Sequence, residues 1–271
     1  MVQASQHSED ERPNIVFVMA DDLNDFIGVM NDSTGVKTPN IDRLAAKASI
    51  FTNAHSNAPI CSPSRASLLS GILPHRSGQY GFKNWRQNPV LKDSRTIMEQ
   101  LSRAGYHSAG AGKLMHHQWP KAWDDYAIRP DYTPLSFDGI NTTGHPDVPA
   151  PYNSQIGPLD STFIRLSKVP DVKPGKDTPG YTGWWYGGFK KPFRYVSESD
   201  RDPLPDEMYA GWAAGKIREW DSEGLDKPFF LSVGFIRPHT PLVVPDRFFD
   251  MYPKDGITLP HMPEDDEADT W

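Results

Sequence analysis

IVFVMADD, residues 15–22, is a short continuous apolar run that ends abruptly in two carboxylates. Ile15–Ala20 is rich in β-branched residues, with Pro13 ahead of it and Asp21 closing it. Such a run reads as a strand buried on both faces, the kind found inside a parallel sheet. FFLSVGF, Phe229–Phe235, reads the same way, and Tyr106–Ala111 reads as a strand leading into Gly112 and Lys113. Ile50–Asn53 is a candidate for a further short strand. Helical spacing lies between these runs. Thr38 is placed to cap a helix with Pro39 at its first position, followed by Ile41, Leu44, Ala45 and Ala48. Ser94–Ala104 puts Ile97, Leu101 and Ala104 on one face, with Gly105 as terminator. Asp206–Trp220 reads as a helix despite Gly211 and Gly215. Strands alternating with helices predict an α/β fold with a mostly parallel sheet.

The chain has 271 residues, enough for one large domain or two small ones. A formal net charge of −7 argues against nucleic acid as the main partner. A single cysteine excludes an internal disulfide framework and a cysteine-rich zinc site. No apolar run approaches the ~20 residues a membrane helix needs, so no membrane span is expected. The first dozen residues are polar and carry no apolar signal-peptide core: the chain is not exported, or its leader is absent from this sequence. From about Ile128 to Pro205 the periodicity dissolves into Pro, Gly and aromatics, including GYTGWWYGGFKKPF at Gly180–Phe193. A loop this long in a compact domain is functional or disordered, and its aromatic content argues against disorder. Asn141-Thr142-Thr143 matches a glycosylation acceptor, a motif also common by chance.

Ligands of open α/β sheets bind at the carboxyl ends of the strands. Three such ends carry polar clusters: Asp21-Asp22, then Gly112-Lys113 with His116 and His117 just after, and Arg237-Pro238-His239. If the strands are parallel neighbours, these groups converge. Adjacent carboxylates repel unless a cation sits between them, which suits a hard divalent metal; a solvated acidic turn is the alternative. An EF-hand loop does not fit, because its glycine and terminal glutamate are missing. The lone cysteine lies in ICSPSRASLLSG, Ile60–Gly71. Ser62 and Pro63 read as a helix start, Ser64–Ser70 as the helix and Gly71 as its end, which puts Cys61 just before a helix N-terminus, a setting that favours an anion. Arg65 adds a fork suited to phosphate or sulfate oxygens. A buried structural thiol is the bland alternative. Direct thiolate attack is disfavoured, since a thiolate phosphatase needs a longer cradle than the three residues between Cys61 and Arg65.

These elements together are similar to the type I, formylglycine-dependent sulfatases. CSPSR at Cys61–Arg65 matches that family's signature, and NIVFVMADDLN at Asn14–Asn24 matches its opening strand and metal-binding aspartates. TPNIDRLA at Thr38–Ala45, LLSG at Leu68–Gly71 and GKLMHH at Gly112–His117 resemble its flanking and lysine-histidine segments. KPFFLSVGFIRPHTPLVVPDRFFDMYP, Lys227–Pro253, resembles the iduronate-2-sulfatase-like branch. The resemblance implies an alkaline-phosphatase-like α/β sandwich: a central, mostly parallel sheet flanked by helices. It implies a single catalytic domain over residues 1–271 with a long substrate-side loop at about 130–205. That domain is expected to be incomplete, because the family supplies further metal ligands and a second lysine from a later Asp-His-Gly-type segment beyond Trp271.

The resemblance also implies roles. Cys61 becomes formylglycine, made by a formylglycine-generating or sulfatase-maturating enzyme. The hydrated aldehyde attacks the sulfur of a sulfate ester with one hydroxyl and expels sulfate with the help of the other. Asp21, Asp22 and the modified Cys61 hold Ca²⁺. Arg65 stabilises the hydrated aldehyde, and Lys113 neutralises charge on the sulfuryl group. His116 orients the formylglycine hydroxyl or takes its proton, and His239 contacts sulfate or protonates the leaving oxygen. Each histidine has the alternative of a hydrogen-bonded surface residue, and His117 is assigned to it. The expected substrate is a sulfated polysaccharide or glycosaminoglycan fragment. Trp184, Trp185, Tyr186, Lys190, Lys191 and Arg194 are candidates to bind it, or else pack as ordinary loop residues. The expected location is periplasmic or secreted. A phosphate or phosphonate ester hydrolase of the same superfamily is the alternative activity, and a truncated, non-catalytic glycan-binding remnant is the third reading.

Overall fold

The computed structural model describes residues 12–30, 34–137, 139–140, 163–168, 171–177, 179–188 and 190–257. Four parallel strands form the main sheet in the order Ile15–Ala20, Phe229–Phe235, His107–Gly112, Asp125–Tyr126. Ala20 pairs with Phe235 and Gly234 with Gly112, so three strands end level with one another. The Phe229 strand is central and buried along Phe230–Gly234. Its alternation splits two cores. Phe230 joins Leu69, Met98, Leu114, Met115 and Trp123 on one face, and Leu231 and Val233 join Tyr209, Ala213 and Trp220 on the other. The helices Cys61–Ser70 and Ile97–Arg103 therefore cover one face, and Pro205–Glu223 covers the other.

The opening strand departs from expectation. It lies at the sheet's edge, and only its Ile15, Phe17 and Met19 face meets the core. Val16 and Val18 are 51% and 58% exposed, so burial on both faces does not hold. The helix Pro39–Ala45 begins with Pro39 as expected, but Thr38 makes no side-chain cap: its hydroxyl bonds the Asp42 carboxylate instead, at 3.0 Å. The apolar stripe there is real, yet Leu44 is 70% exposed among the described residues. Ile50–Asn53 forms loop and turn rather than a strand. The helix expected from Ser94 starts at Ile97, because Thr96 and Glu99 close a capping box that satisfies the first N–H groups.

The region that lost periodicity builds its own small core. Leu135–Ser136, Trp184–Tyr186 and Lys191–Pro192 form an antiparallel sheet, and Phe163–Arg165 pairs with Leu242–Val244. Ile164, Leu166, Trp184, Tyr186, Phe193 and Val243 pack together, and the Trp184 indole N–H donates to the Leu166 carbonyl at 3.1 Å. Short strands of two or three residues carry too few repeats for a period to be read. The Asn141-Thr142-Thr143 motif lies outside the described residues.

Close approach of the central strands demands glycine at their ends. Gly112 takes φ +79°, and a Cβ there would run into the Gly234 carbonyl oxygen. Gly112→Ala combines left-handed strain with overpacking and is expected to lower stability by about 2–5 kcal/mol. Gly211 lies in the Pro205–Glu223 helix with open space around it, so Gly211→Ala is expected to raise stability by about 1 kcal/mol. Urea midpoints of the two variants, moving in opposite directions, check this.

Candidate active site

Backbone pairing continues past the strand ends and brings the polar clusters together. The Asp21 N–H donates to the Phe235 carbonyl at 3.1 Å, and the Asp21 carbonyl accepts from the His239 N–H at 3.0 Å. The Lys113 N–H donates to the Gly234 carbonyl at 2.7 Å. Asp21, Lys113 and His239 thus share one end of the sheet, as the sequence predicts. Asp206, in the first turn of its helix, accepts from the Ile236 and Arg237 N–H groups at 2.8 and 2.9 Å and fixes the turn that carries His239.

The cysteine helix runs Cys61–Ser70, so Cys61 is its first residue rather than the residue before it. Pro63 is tolerated in this first turn, where its missing N–H has no intrahelical acceptor to lose. Ile60 precedes with extended backbone and no side-chain cap, leaving the Cys61 and Ser62 N–H groups without an intrahelical partner. Gly71, at φ 71°, ends the helix as predicted. Arg65 sits one turn beyond Cys61. Its Nη2 donates to Asp21 Oδ1 at 2.9 Å, and its Nη1 donates to the Lys113 carbonyl. Lys113 Nζ takes the other Asp21 oxygen. All three side chains are almost fully buried. Burial alone would push the Asp21 carboxyl up, but the Lys113 hydrogen bond and the Arg65 charge outweigh it and hold Asp21 below its ordinary value.

His239 Nδ1 lies 2.6 Å from the Thr240 carbonyl. A carbonyl only accepts, so Nδ1 carries the proton and Nε2 is left for chemistry. His239, Asp21, Asp22, Asn24, Cys61 and Arg65 line one pocket of about 590 Å³. His116 packs beside that pocket rather than in its wall: its ring lies 5.1 Å from Phe82, which does line it, and 5.1 Å from His117. Burial first, and then the Lys113 charge, depress His116 to about 4, so it is neutral at pH 7. His117 is half-buried beside it.

The metal reading meets a limit. Asp22 is exposed and takes φ 62°, so the chain turns sharply between the two carboxylates. Among the described residues no group of three or more His, Cys, Asp and Glu is placed to hold a metal. Calcium takes six to eight oxygens. Both Asp21 oxygens are engaged by Arg65 and Lys113. The described residues alone therefore do not fit a calcium centre.

Of the candidate glycan-binding residues, Trp184 and Tyr186 belong to the small core, and Arg194 is forked onto Asp200 at 2.6 and 2.8 Å. Trp185 is half-buried and stacks on Phe137 at 4.7 Å, while Lys190 and Lys191 are exposed. Sequence reading missed Phe82, Asp206 and Tyr132. Asp206 carried a signal, an acid in a helix's first turn just behind a proline. Phe82 and Tyr132 carried none.

The parallel sheet with helices on both faces is an alkaline-phosphatase-like α/β fold. The phosphonate monoester hydrolase of Agrobacterium radiobacter shares this fold, with TM-score 0.56 at 18% identity, over 92% of this chain and 45% of that one. The family model for sulfatases matches residues 13–264, and the chain belongs to the sulfatase family. It is 33% identical over 266 residues to a sulfatase of Formosa agariphila, covering 96% of this chain and 46% of that protein. It is 27% identical over 273 residues to the iduronate 2-sulfatase of Homo sapiens, covering 97% and 42%. The chain spans under half the length of these relatives. None of the described helices is long and apolar enough to cross a membrane.

Proposed function

We propose that this chain carries the nucleophile side of a sulfatase active site, and that the whole protein hydrolyses sulfate esters on a sulfated carbohydrate. The observation that carries the reading is Cys61 on an uncapped helix start, opening into a pocket walled by Asp21, Arg65 and His239. Cys61 is the site of the formylglycine, which supplies a nucleophile carrying two hydroxyls on one carbon; a sulfatase-maturating enzyme is the partner that installs it. The Cys61 and Ser62 N–H groups and the helix dipole favour the sulfate anion there. Arg65 and Lys113, already buried and fixed on Asp21, offset charge that builds on the sulfuryl oxygens without further reorganisation. His239 Nε2 faces the leaving oxygen as proton donor or acceptor. Neutral His116, whose protonated form is disfavoured by burial and the Lys113 charge, serves beside the pocket to orient a hydroxyl rather than to take its proton. The described residues do not make a calcium site by themselves, since both Asp21 oxygens are held by Arg65 and Lys113.

A sugar substrate is supported by the name of the iduronate 2-sulfatase relative. On this reading residues 1–271 form one catalytic unit whose 130–205 segment faces substrate through Lys190 and Lys191 rather than through its buried rings, and the enzyme works outside the cytoplasm, where such polymers are met. The fold likeness to a phosphonate monoester hydrolase keeps phosphoryl transfer as a second reading. Sulfate and phosphate monoesters of one phenol separate the two. The sulfate ester is expected to have the higher kcat/KM by at least about 10²-fold, a transition-state difference of about 2.7 kcal/mol. A preference for phosphate overturns the proposal.

A further inference from the structure

We propose that Tyr132 is a positioning residue of this site, holding Lys113 and His239 in one fixed relation; the inference rests on the sulfatase reading above. The Lys113 ammonium sits 4.7 Å from the Tyr132 ring centroid. The same ring meets the His239 imidazole at 5.3 Å and 69°, a T-shaped contact. One side chain thus touches both the buried cation and the histidine of the reactive pocket. A lysine on a four-carbon stem is mobile unless more than one group holds it, and here Asp21 takes its charge while the ring face takes its flank. The histidine is already pinned at Nδ1 by the Thr240 carbonyl, and the edge-to-face contact restricts rotation of the ring about that bond.

Tyr132 itself is tightly held. Its carbonyl accepts from Arg237 Nη2 at 3.1 Å, while Arg237 Nη1 reaches the His239 carbonyl at 3.4 Å. Arg237 therefore ties the backbones of Tyr132 and His239 together behind the ring contact. On one side of Tyr132, the Asp131 N–H donates to the Tyr209 hydroxyl at 2.7 Å. On the other, the Thr133 N–H and hydroxyl donate to the Asp131 carboxylate at 3.1 and 2.5 Å. Gly188 N–H reaches the same carboxylate at 3.2 Å, which links the site to the antiparallel sheet of Leu135–Ser136, Trp184–Tyr186 and Lys191–Pro192. Tyr132 is the element through which that segment sets the geometry of the pocket.

The test compares Tyr132→Phe, which keeps the ring, with Tyr132→Leu and Tyr132→Met, which remove it. The whole protein is used, produced with a maturating enzyme and assayed on an aryl sulfate. Displacement of about 1 Å in a catalytic group costs up to ~10²-fold in rate. We expect kcat to fall about 10- to 100-fold in the Leu and Met variants, KM to change less than about threefold, and Phe to stay within about threefold of wild type. The order parameter of the His239 ring, read from carbon relaxation, should fall in the Leu and Met variants and stay near wild type in Phe. A merely structural role would move neither the kcat-to-KM split nor this order parameter in a folded variant. Wild-type turnover with unchanged kcat and an unchanged order parameter in whichever of Leu and Met folds overturns the inference. Wild type without sulfate release defeats the sulfatase reading instead, and the order parameter then still decides whether Tyr132 holds His239.

Discussion

Asp21→Asn is expected to lower the folding stability of the chain by about 3–5 kcal/mol. Asp21 is 4% exposed and is shared by Arg65, 4% exposed, and Lys113, 1% exposed. Asparagine keeps the size and some hydrogen bonding but removes the one negative charge inside this triad. Two cations then remain out of water with no anion to offset their desolvation, the situation in which breaking a buried pair is most damaging. The effect is pH-dependent with a definite sign. Asp21 titrates below its ordinary value of 3.8 in the folded chain, so its contribution is fully present above about pH 3.8 and is lost as the pH falls through the lowered folded value. The wild type should therefore lose stability as the pH drops below about 3.8, and the Asn variant should lack that component. Urea unfolding at pH 7 and at steps down to pH 3 measures both. Adding Lys113→Met to Asp21→Asn should recover part of the loss, because one of the two stranded charges is gone. Equal stability of wild type and the Asn variant at pH 7 would remove the triad as a structural element.

Much of this was legible in the sequence because of periodicity and chain chemistry. Phe229–Phe235 is strand at the predicted residues, and the Tyr106–Ala111 reading differs from the observed His107–Gly112 by one residue at each end. Asp21, Lys113 and His239 converge because parallel strands ending level must bring their termini together. Other features depend on partners that no local pattern encodes. Whether Val16 and Val18 are covered depends on what lies across the sheet face, so an edge strand and a central strand read alike. Trp184 and Tyr186 look like sugar platforms in a stretch rich in glycine and lysine, yet they fill a core whose other half, Val243, is nearly sixty residues away. Tyr132 is one aromatic among many until folding sets it between Lys113 and His239. The shift of Cys61 from before the helix to its first residue changes little, since the N–H groups at that end are free in either placement.

Cys61→Ala is expected to reduce sulfate release by at least about 10⁴-fold, the scale seen when a covalent nucleophile is removed. Cys61 is half-buried, the helix it opens draws its burial from Ala66 and Leu69, and alanine is a good helix former, so the variant should keep its fold and its melting temperature within a few degrees. The loss would then be chemical rather than structural. Cys61→Ser sharpens the test. If any nucleophile at this position sufficed, serine would restore steady turnover. A serine has a single hydroxyl, so once it has taken up sulfate it has no second one with which to expel it, and at most one sulfate per chain is expected from that variant. Peptide mass spectrometry of wild-type protein produced with a maturating enzyme should show an aldehyde in place of the Cys61 thiol, and the active fraction should rise with the converted fraction. The pocket supplies the rest of the reason: Arg65 and Lys113 are already locked on Asp21, and the helix start already presents free N–H groups. On the proposed reading the modification supplies a group that takes up sulfate with one hydroxyl and releases it with the help of the other. Protein that retains the free thiol at Cys61 throughout and still turns over sulfate esters at full rate would refute the assignment.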